Sequence, residues 1–236
     1  MKSVFAALKF LTFAGRFDRN QVNLQQVATA IPYFPLVGIF LGFVLVLLNR
    51  LLDPRLESEI LGALLIAVLA LLTGGIHYQG LQNTFDALSV KRGHGEETGH
   101  SHVFGMLAIV FVVLFKVRAV EVTGEARSLG LLLTPLFARW SLVIFLYGAA
   151  SVAEGHARIL SDNVKAWHLV LTTVGTLALA GFLVGRTALW IGFYLSLFAL
   201  LSRSYLQRRN DRIDSDNFGA VIELSETLSF VLFASL

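Results

Sequence analysis

Seven apolar runs stand out along the chain, near 31–49, 59–76, 103–121, 128–149, 168–185, 187–203 and 221–236. A hydrocarbon core of about 30 Å takes roughly 20 helical residues to cross, so each run predicts a spanning helix, the sixth and seventh being short. Residues 1–17 follow a different pattern. Lys9 and Arg16 break the apolar run there, and no small-residue cleavage site follows, which argues against a signal peptide. An interfacial amphipathic helix is predicted instead, with Phe5, Leu8, Leu11 and Thr12 on one face and the cations snorkelling. No internal repeat, low-complexity segment or linker divides the chain. Residues 1–236 therefore read as one membrane-embedded domain, with 1–30 as its interfacial N-terminal segment. The fold class expected is all-α, a polytopic integral membrane bundle of about seven transmembrane helices.

Composition agrees with that pattern and removes other classes. Hydrophobic residues make up 56% of the chain and charged ones 15%, against roughly 45–50% and 25% in soluble domains. Mean hydropathy is +0.70. A chain this apolar cannot cover itself with polar groups, so the lipid bilayer is its first partner. Nineteen basic against sixteen acidic residues leave only +3, which speaks against a nucleic-acid partner. The absence of cysteine excludes disulfides, thiolate catalysis and Cys-ligated metals.

Charge also predicts orientation. With the N-terminus inside, segments 1–30, 77–102, 150–167 and 203–220 hold twelve Lys and Arg residues, and the opposite loops hold four (Arg50, Arg55, Arg127, Arg186). The N-terminus and the two most polar loops, 77–102 and 203–220, are thus expected on the cytoplasmic side.

Three stretches differ from lipid-facing helix. Thr73 to Leu88 reads TGGIHYQGLQNTFDAL. Gln79, Asn83 and Asp86 are spaced four and three apart, one face of a helix, and oxygen ligands gathered so suit a hard cation such as Mg²⁺. The plain alternative is a polar helix end dipping into solvent. Arg209 to Glu226 places Asp211, Asp214 and Asp216 among arginines, then Glu223 and Glu226 inside the last span. An ionisable residue within a span points to function, Glu223 first; headgroup-level capping is the alternative. The third stretch, HGEETGHSH at 94–102, could ligate a transition metal, although nothing fixes its geometry and a solvated loop is the simpler reading. Arg139, beside Trp140 in the fourth span, suits either a bidentate phosphate clamp or stacking on the indole. His77 closes an apolar run and reads as a helix-end histidine or a substrate contact. Walker, nucleophile-elbow and HExxH motifs are missing, and so are the paired Gly/Pro-broken spans of inverted-repeat transporters.

Several of these stretches together resemble the cobalamin synthase family, adenosylcobinamide-GDP ribazoletransferase. FPLVG at 34–38 with Gly42 is similar to its first-span signature, and TGGIHYQGLQNTFDAL to its central motif. FGMLAIVFVVLFK at 104–116 resembles its third-span pattern ending in lysine, and PLFARW at 135–140 the segment with the family's arginine. DNFGAVIELSE at 216–226 is the closest match.

The resemblance implies a Mg²⁺-dependent transferase of the cell inner membrane. It would join adenosylcobinamide-GDP to α-ribazole or its 5′-phosphate, giving adenosylcobalamin or its phosphate and GMP. On that resemblance Asp86, Asp216 and Glu223 are catalytic. Asp86, Asn83 and Gln79 surround Mg²⁺, and His77, Gly80, Thr84, Arg139 and Gly219 bind substrate. Partnership in a homo-oligomer or a biosynthetic complex is left open. The chain departs from the family where Gln79 and Asn83 stand for aspartates, Ala87 for a glycine, and Thr98-Gly99-His100 for Asp-Ser-Arg. A non-catalytic or altered-substrate homologue, binding a corrinoid or a membrane partner, is therefore the second reading. A transporter has only the apolar spans in its favour.

Overall fold

Each long apolar run becomes helix in the computed structural model, which describes residues 2–12, 24–89, 102–150, 152–210 and 212–236. The helices are α1 (Lys2–Leu11), α2 (Leu24–Ala28), α3 (Phe34–Leu52), α4 (Ser58–Leu72), α5 (Ile76–Ser89) and α6 (Val103–Val122). They continue with α7 (Arg127–Leu146), α8 (His156–Asn163), α9 (Ala166–Val184), α10 (Thr187–Asn210) and α11 (Ser215–Ser235). Among the described residues six segments are long and apolar enough to span a bilayer, or seven if the bent pair α4–α5 is one broken span. The protein is a multi-pass membrane protein with an all-α bundle fold.

The centre of the bundle is α7, whose spanning window is 89% buried, against 22% for α9 at the rim. Helices α3, α11, α10 and α9 pack around it. Rim helices turn Phe40, Phe43, Phe111, Phe115, Phe182 and Phe193 outward, as lipid solvation allows. Close packing at the centre comes from missing side chains. A Cβ on Gly38 would meet Leu136 N and Cα at 2.6 Å, and one on Gly42 would meet Leu132 Cα at 2.8 Å. The Gly-x-x-x-Gly pair of α3 thus lies on the backbone of α7, where membrane helices gain van der Waals contact that apolar burial cannot supply.

One span is broken. Gly74 and Gly75 take φ of 65° and 68°, open to glycine at little cost. Gly75 N donates to Ala70 O at 3.0 Å and Gly74 N to Leu71 O at 2.9 Å, a Schellman closure of α4. The chain then turns through 89° into α5. This corrects the expectation of a polar loop from residue 77, since residues 76–89 are helix laid on α11 and α6. Tyr78 lies under the Lys116 amine, and Asp86 reaches Gly105. Those partners are eleven residues apart on α6, about 16 Å of helix. Helix α5 therefore runs from bundle depth to the end where α6 and α11 begin.

One boundary differs from expectation. The last helix starts at Ser215, six residues before the predicted 221, because Asp214 caps it by accepting from Asp216 N and Asn217 N. Glu223 and Glu226 accordingly sit deeper than two turns. Helix α1 buries Ala6, Ala7 and Leu11 while Phe5 points outward. Its small residues let it pack against α2 and α3.

Candidate active site

Where α5 crosses α11, two glycines touch. A Cβ on Gly80 would lie 2.6 Å from Asp216 O, and one on Gly219 would lie 2.8 Å from His77 O. This contact sets the register of all nearby side chains. One turn toward the bundle end, Asn83 Nδ2 donates to Asp216 Oδ2 at 3.0 Å, and Asn217 Nδ2 donates to Thr84 Oγ1 at 3.1 Å. Asp216 is half-buried and Asn83 exposed, so this pair forms a mouth. Behind it lies a cavity of about 250 Å³, with His77, Gly80, Asp216 and Gly219 in its lining. The structure thus sets four of the sequence candidates, His77, Gly80, Asp216 and Gly219, around one cavity, with Asn83 bonded to Asp216 at its edge.

The candidate metal trio does not converge. Gln79 and Asn83 are exposed, whereas Asp86 is 7% exposed and turned toward α6. Asp86 Oδ1 accepts from Gly105 N at 2.7 Å, and its Oδ2 lies 3.2 Å from His102 Nδ1. Helix α6 has no side-chain cap of its own at His102. Asp86 supplies one from another helix, where a carboxylate also meets the positive end of the helix dipole. Gly105 is what lets α5 come this close. Replacing Asp86 with Ala is expected to cost about 1–2 kcal/mol, and Asp86→Asn, which keeps an acceptor oxygen, distinctly less. Thermal unfolding in detergent measures both; equal losses would refute the capping role.

Beneath the cavity is a buried ion network. Lys116 Nζ donates to Glu223 Oε2 and Glu226 Oε2 at 2.5 Å each, and Arg139 Nη1 donates to Glu226 Oε1. All four side chains are 2% exposed or less. Two cations and two carboxylates neutralise one another, which is what burial of charge requires. Arg139 neither stacks on its neighbouring indole nor faces solvent. Trp140 Nε1 donates instead to Thr173 Oγ1 at 3.0 Å. Three buried nitrogens at this level, His77 Nε2 and Arg139 Nε and Nη2, have no hydrogen-bond partner. Lys116 was not among the sequence candidates, although a lysine inside the apolar run FGMLAIVFVVLFK was the available signal.

Of the His/Glu stretch only His102 is described, against Asp86; residues 94–101 and Asp211 lie outside the described residues. Among the described residues no group of three or more His, Asp or Glu side chains is placed to hold a metal ion.

A family model described as cobalamin-5-phosphate synthase matches residues 3–234. Similar curated proteins include one from Syntrophobacter fumaroxidans, 32% identical over 94% of both chains. One from Desulfitobacterium hafniense is 30% identical over 97% of this chain and 94% of its own. One from Geotalea daltonii is 25% identical over 100% of this chain and 98% of its own. All three carry the name adenosylcobinamide-GDP ribazoletransferase. No solved structure matches the chain.

Proposed function

The chain belongs to the cobalamin-5-phosphate synthase family, and from that membership we propose that it is an adenosylcobinamide-GDP ribazoletransferase acting at the Asn83–Asp216 mouth. The observation that carries the reading is the span of the family match, residues 3–234, which takes in every helix that builds the site. In the reaction the ribazole hydroxyl oxygen bonds to the phosphorus that already bears the cobinamide alkoxide. The bond from that phosphorus to the bridging oxygen breaks, GMP leaves with that oxygen, and the hydroxyl proton is released. Transfers of this kind need positioning and charge stabilisation more than covalent help from the protein.

The residues divide that work by depth. Asp216 and Asn83 stand at the opening, where a diphosphate too large and too charged for the cavity has to stop. Gly80 and Gly219 bring two backbones together there, so the floor is rigid. His77 is among the residues that line the cavity, and its ring Nε2 is buried with no hydrogen-bond partner. Glu223 and Arg139, fully enclosed with Lys116 and Glu226, hold α6, α7 and α11 in place under the site. Mg²⁺ usually takes one or two carboxylates together with phosphate oxygens. Asp216, half-exposed beside Asn83, suits that donor set, whereas both oxygens of Asp86 are engaged. When bound there, the ion would neutralise charge building on the leaving phosphate. The twelve-to-four bias of basic residues supports a cytoplasmic mouth in a cell membrane.

The test is turnover by purified protein in detergent with adenosylcobinamide-GDP, α-ribazole and Mg²⁺, followed by chromatography. GMP and a new corrinoid in equal amounts are expected, lost on adding EDTA. No product, with an active relative run in parallel, overturns the reading.

A further inference from the structure

We infer that the groove between α3 and α9 is a site for a single membrane lipid, holding one acyl chain of a phospholipid from the leaflet in which both helices begin. The inference is independent of the reaction the protein performs. Helices α3 and α9 both pack on α7 but hardly on each other. What α9 meets instead is the 3₁₀ turn Ile31–Tyr33, which precedes α3. The gap left between them is a cavity of about 380 Å³. It opens among the exposed side chains of Leu36, Trp167 and Leu171 and reaches inward to Leu136 of α7, which is 1% exposed.

Length is the first reason. On α9 the lining runs from Trp167 to Leu179, about 18 Å of helix. Trp167 is the second residue of the span Ala166–Val184, and Leu136 lies at the middle of α7. The groove therefore starts at one face of the membrane and ends near its midplane, the depth of one leaflet of a hydrocarbon core of about 30 Å. Width is the second reason. A volume of about 380 Å³ over that length leaves a bore of about 5 Å. A helix with its side chains needs about 10–12 Å, so neither a second copy of this chain nor another protein's helix enters. An alkyl chain, whose carbons touch their neighbours at about 3.5–4.0 Å, does.

The chemistry of the lining changes with depth as a lipid does. Ser3, Thr29, Tyr33 and Trp167 stand at the membrane face, where Trp and Tyr settle at headgroup level. Exposed Lys165 caps α9 at the same end, a cation for the lipid phosphate. Deeper, Ile39, Leu136, Leu171 and Leu179 are apolar. The α9 wall is kept low by Thr172 and Gly175. Thr172 Oγ1 donates back to His168 O at 2.8 Å and asks nothing of a ligand, and a Cβ on Gly175 would meet nothing within 4 Å. A chain seated here wedges α9, the least buried of the six spans, against α3.

The experiment uses the whole chain, purified in detergent. Native mass spectrometry after a delipidating wash should find one phospholipid per chain, identified by its mass. Dioleoyl phosphatidylglycerol, added back at about a hundredfold excess over its Kd, should raise the thermal midpoint of stripped protein by about 5–10 °C. Gly175→Phe and Leu36→Trp fill the groove from its two walls, and both should lose the bound lipid and the shift. Gly181→Phe lies on the same helix, equally open at its Cβ but outside the groove. It should keep both, which separates this site from lipid that coats the bundle, with circular dichroism confirming the fold of each variant. The assignment is overturned if no lipid is retained and added lipid gives no shift, or if Gly175→Phe and Gly181→Phe behave alike. A bound molecule whose mass is not a phospholipid's overturns it too, as does a dimer that Gly175→Phe disperses, the mark of a protein occupant.

Discussion

Lys116→Met is expected to destabilise the protein more than any other single substitution at the site. The change leaves Glu223 and Glu226, 2% and 1% exposed, with Arg139 as their one remaining cation. Removing one partner from a buried ion pair costs about 3–5 kcal/mol, because the other charge stays desolvated. That is a large share of a typical total stability of about 5–15 kcal/mol. Thermal denaturation in detergent should show a much lower midpoint and poor recovery of folded protein. The double change Lys116→Met with Glu223→Gln removes one charge of each sign, leaves Arg139 balanced against Glu226, and should recover much of the loss. A single variant as stable as the native protein would show that the network is not what holds α6 to α11.

The largest effect on activity is expected at Asp216. Asp216→Ala should lower kcat/KM by about 10²–10³, the usual loss when a charge-stabilising or proton-handling group leaves a transfer site. Fold should survive. The cap of α11 is the Asp214 side chain, which bonds the backbone nitrogen of residue 216 and not its carboxylate. Asp216→Asn should keep a hydrogen bond to Asn83 and so preserve the α5–α11 contact while losing the charge. If the carboxylate matters as such, Asn and Ala variants will be almost equally slow. GMP release by the two variants decides this, and near-native rates in Asp216→Ala would move the chemistry elsewhere.

Much of this architecture is legible in one dimension. The apolar runs mark six or seven crossings because the bilayer imposes a minimum length on each, a property that a window of about twenty residues contains. His77, Asn83 and Asp216 stand out in the sequence as polar positions at the ends of apolar runs, Gly80 and Gly219 enter through the family resemblance, and the structure brings the five close together. The helical spacing of Gln79, Asn83 and Asp86 was also correct as spacing. It could not say that Asp86 turns to the first turn of α6 while the other two stay exposed, since that depends on which helices flank α5. The break at Thr73–Gly75 shows the same limit. Gly74 and Gly75 permit unusual dihedrals wherever they occur, but the 89° turn needs α11 to receive the helix that follows.

The sequence by itself determined that the protein is a membrane-spanning bundle, roughly where its helices lie, and which of its residues are too polar to be there by chance. Only the tertiary structure decided that Lys116 balances two glutamates more than a hundred positions away, and that Asp86 caps a helix. It also decided that His77 and Asp216 share a cavity. Apolar length and helical period are local properties, set by the bilayer and by backbone geometry. Charge balance and cavity shape arise between helices distant in the chain, where a missing side chain at Gly38, Gly80 or Gly219 decides which surfaces can meet.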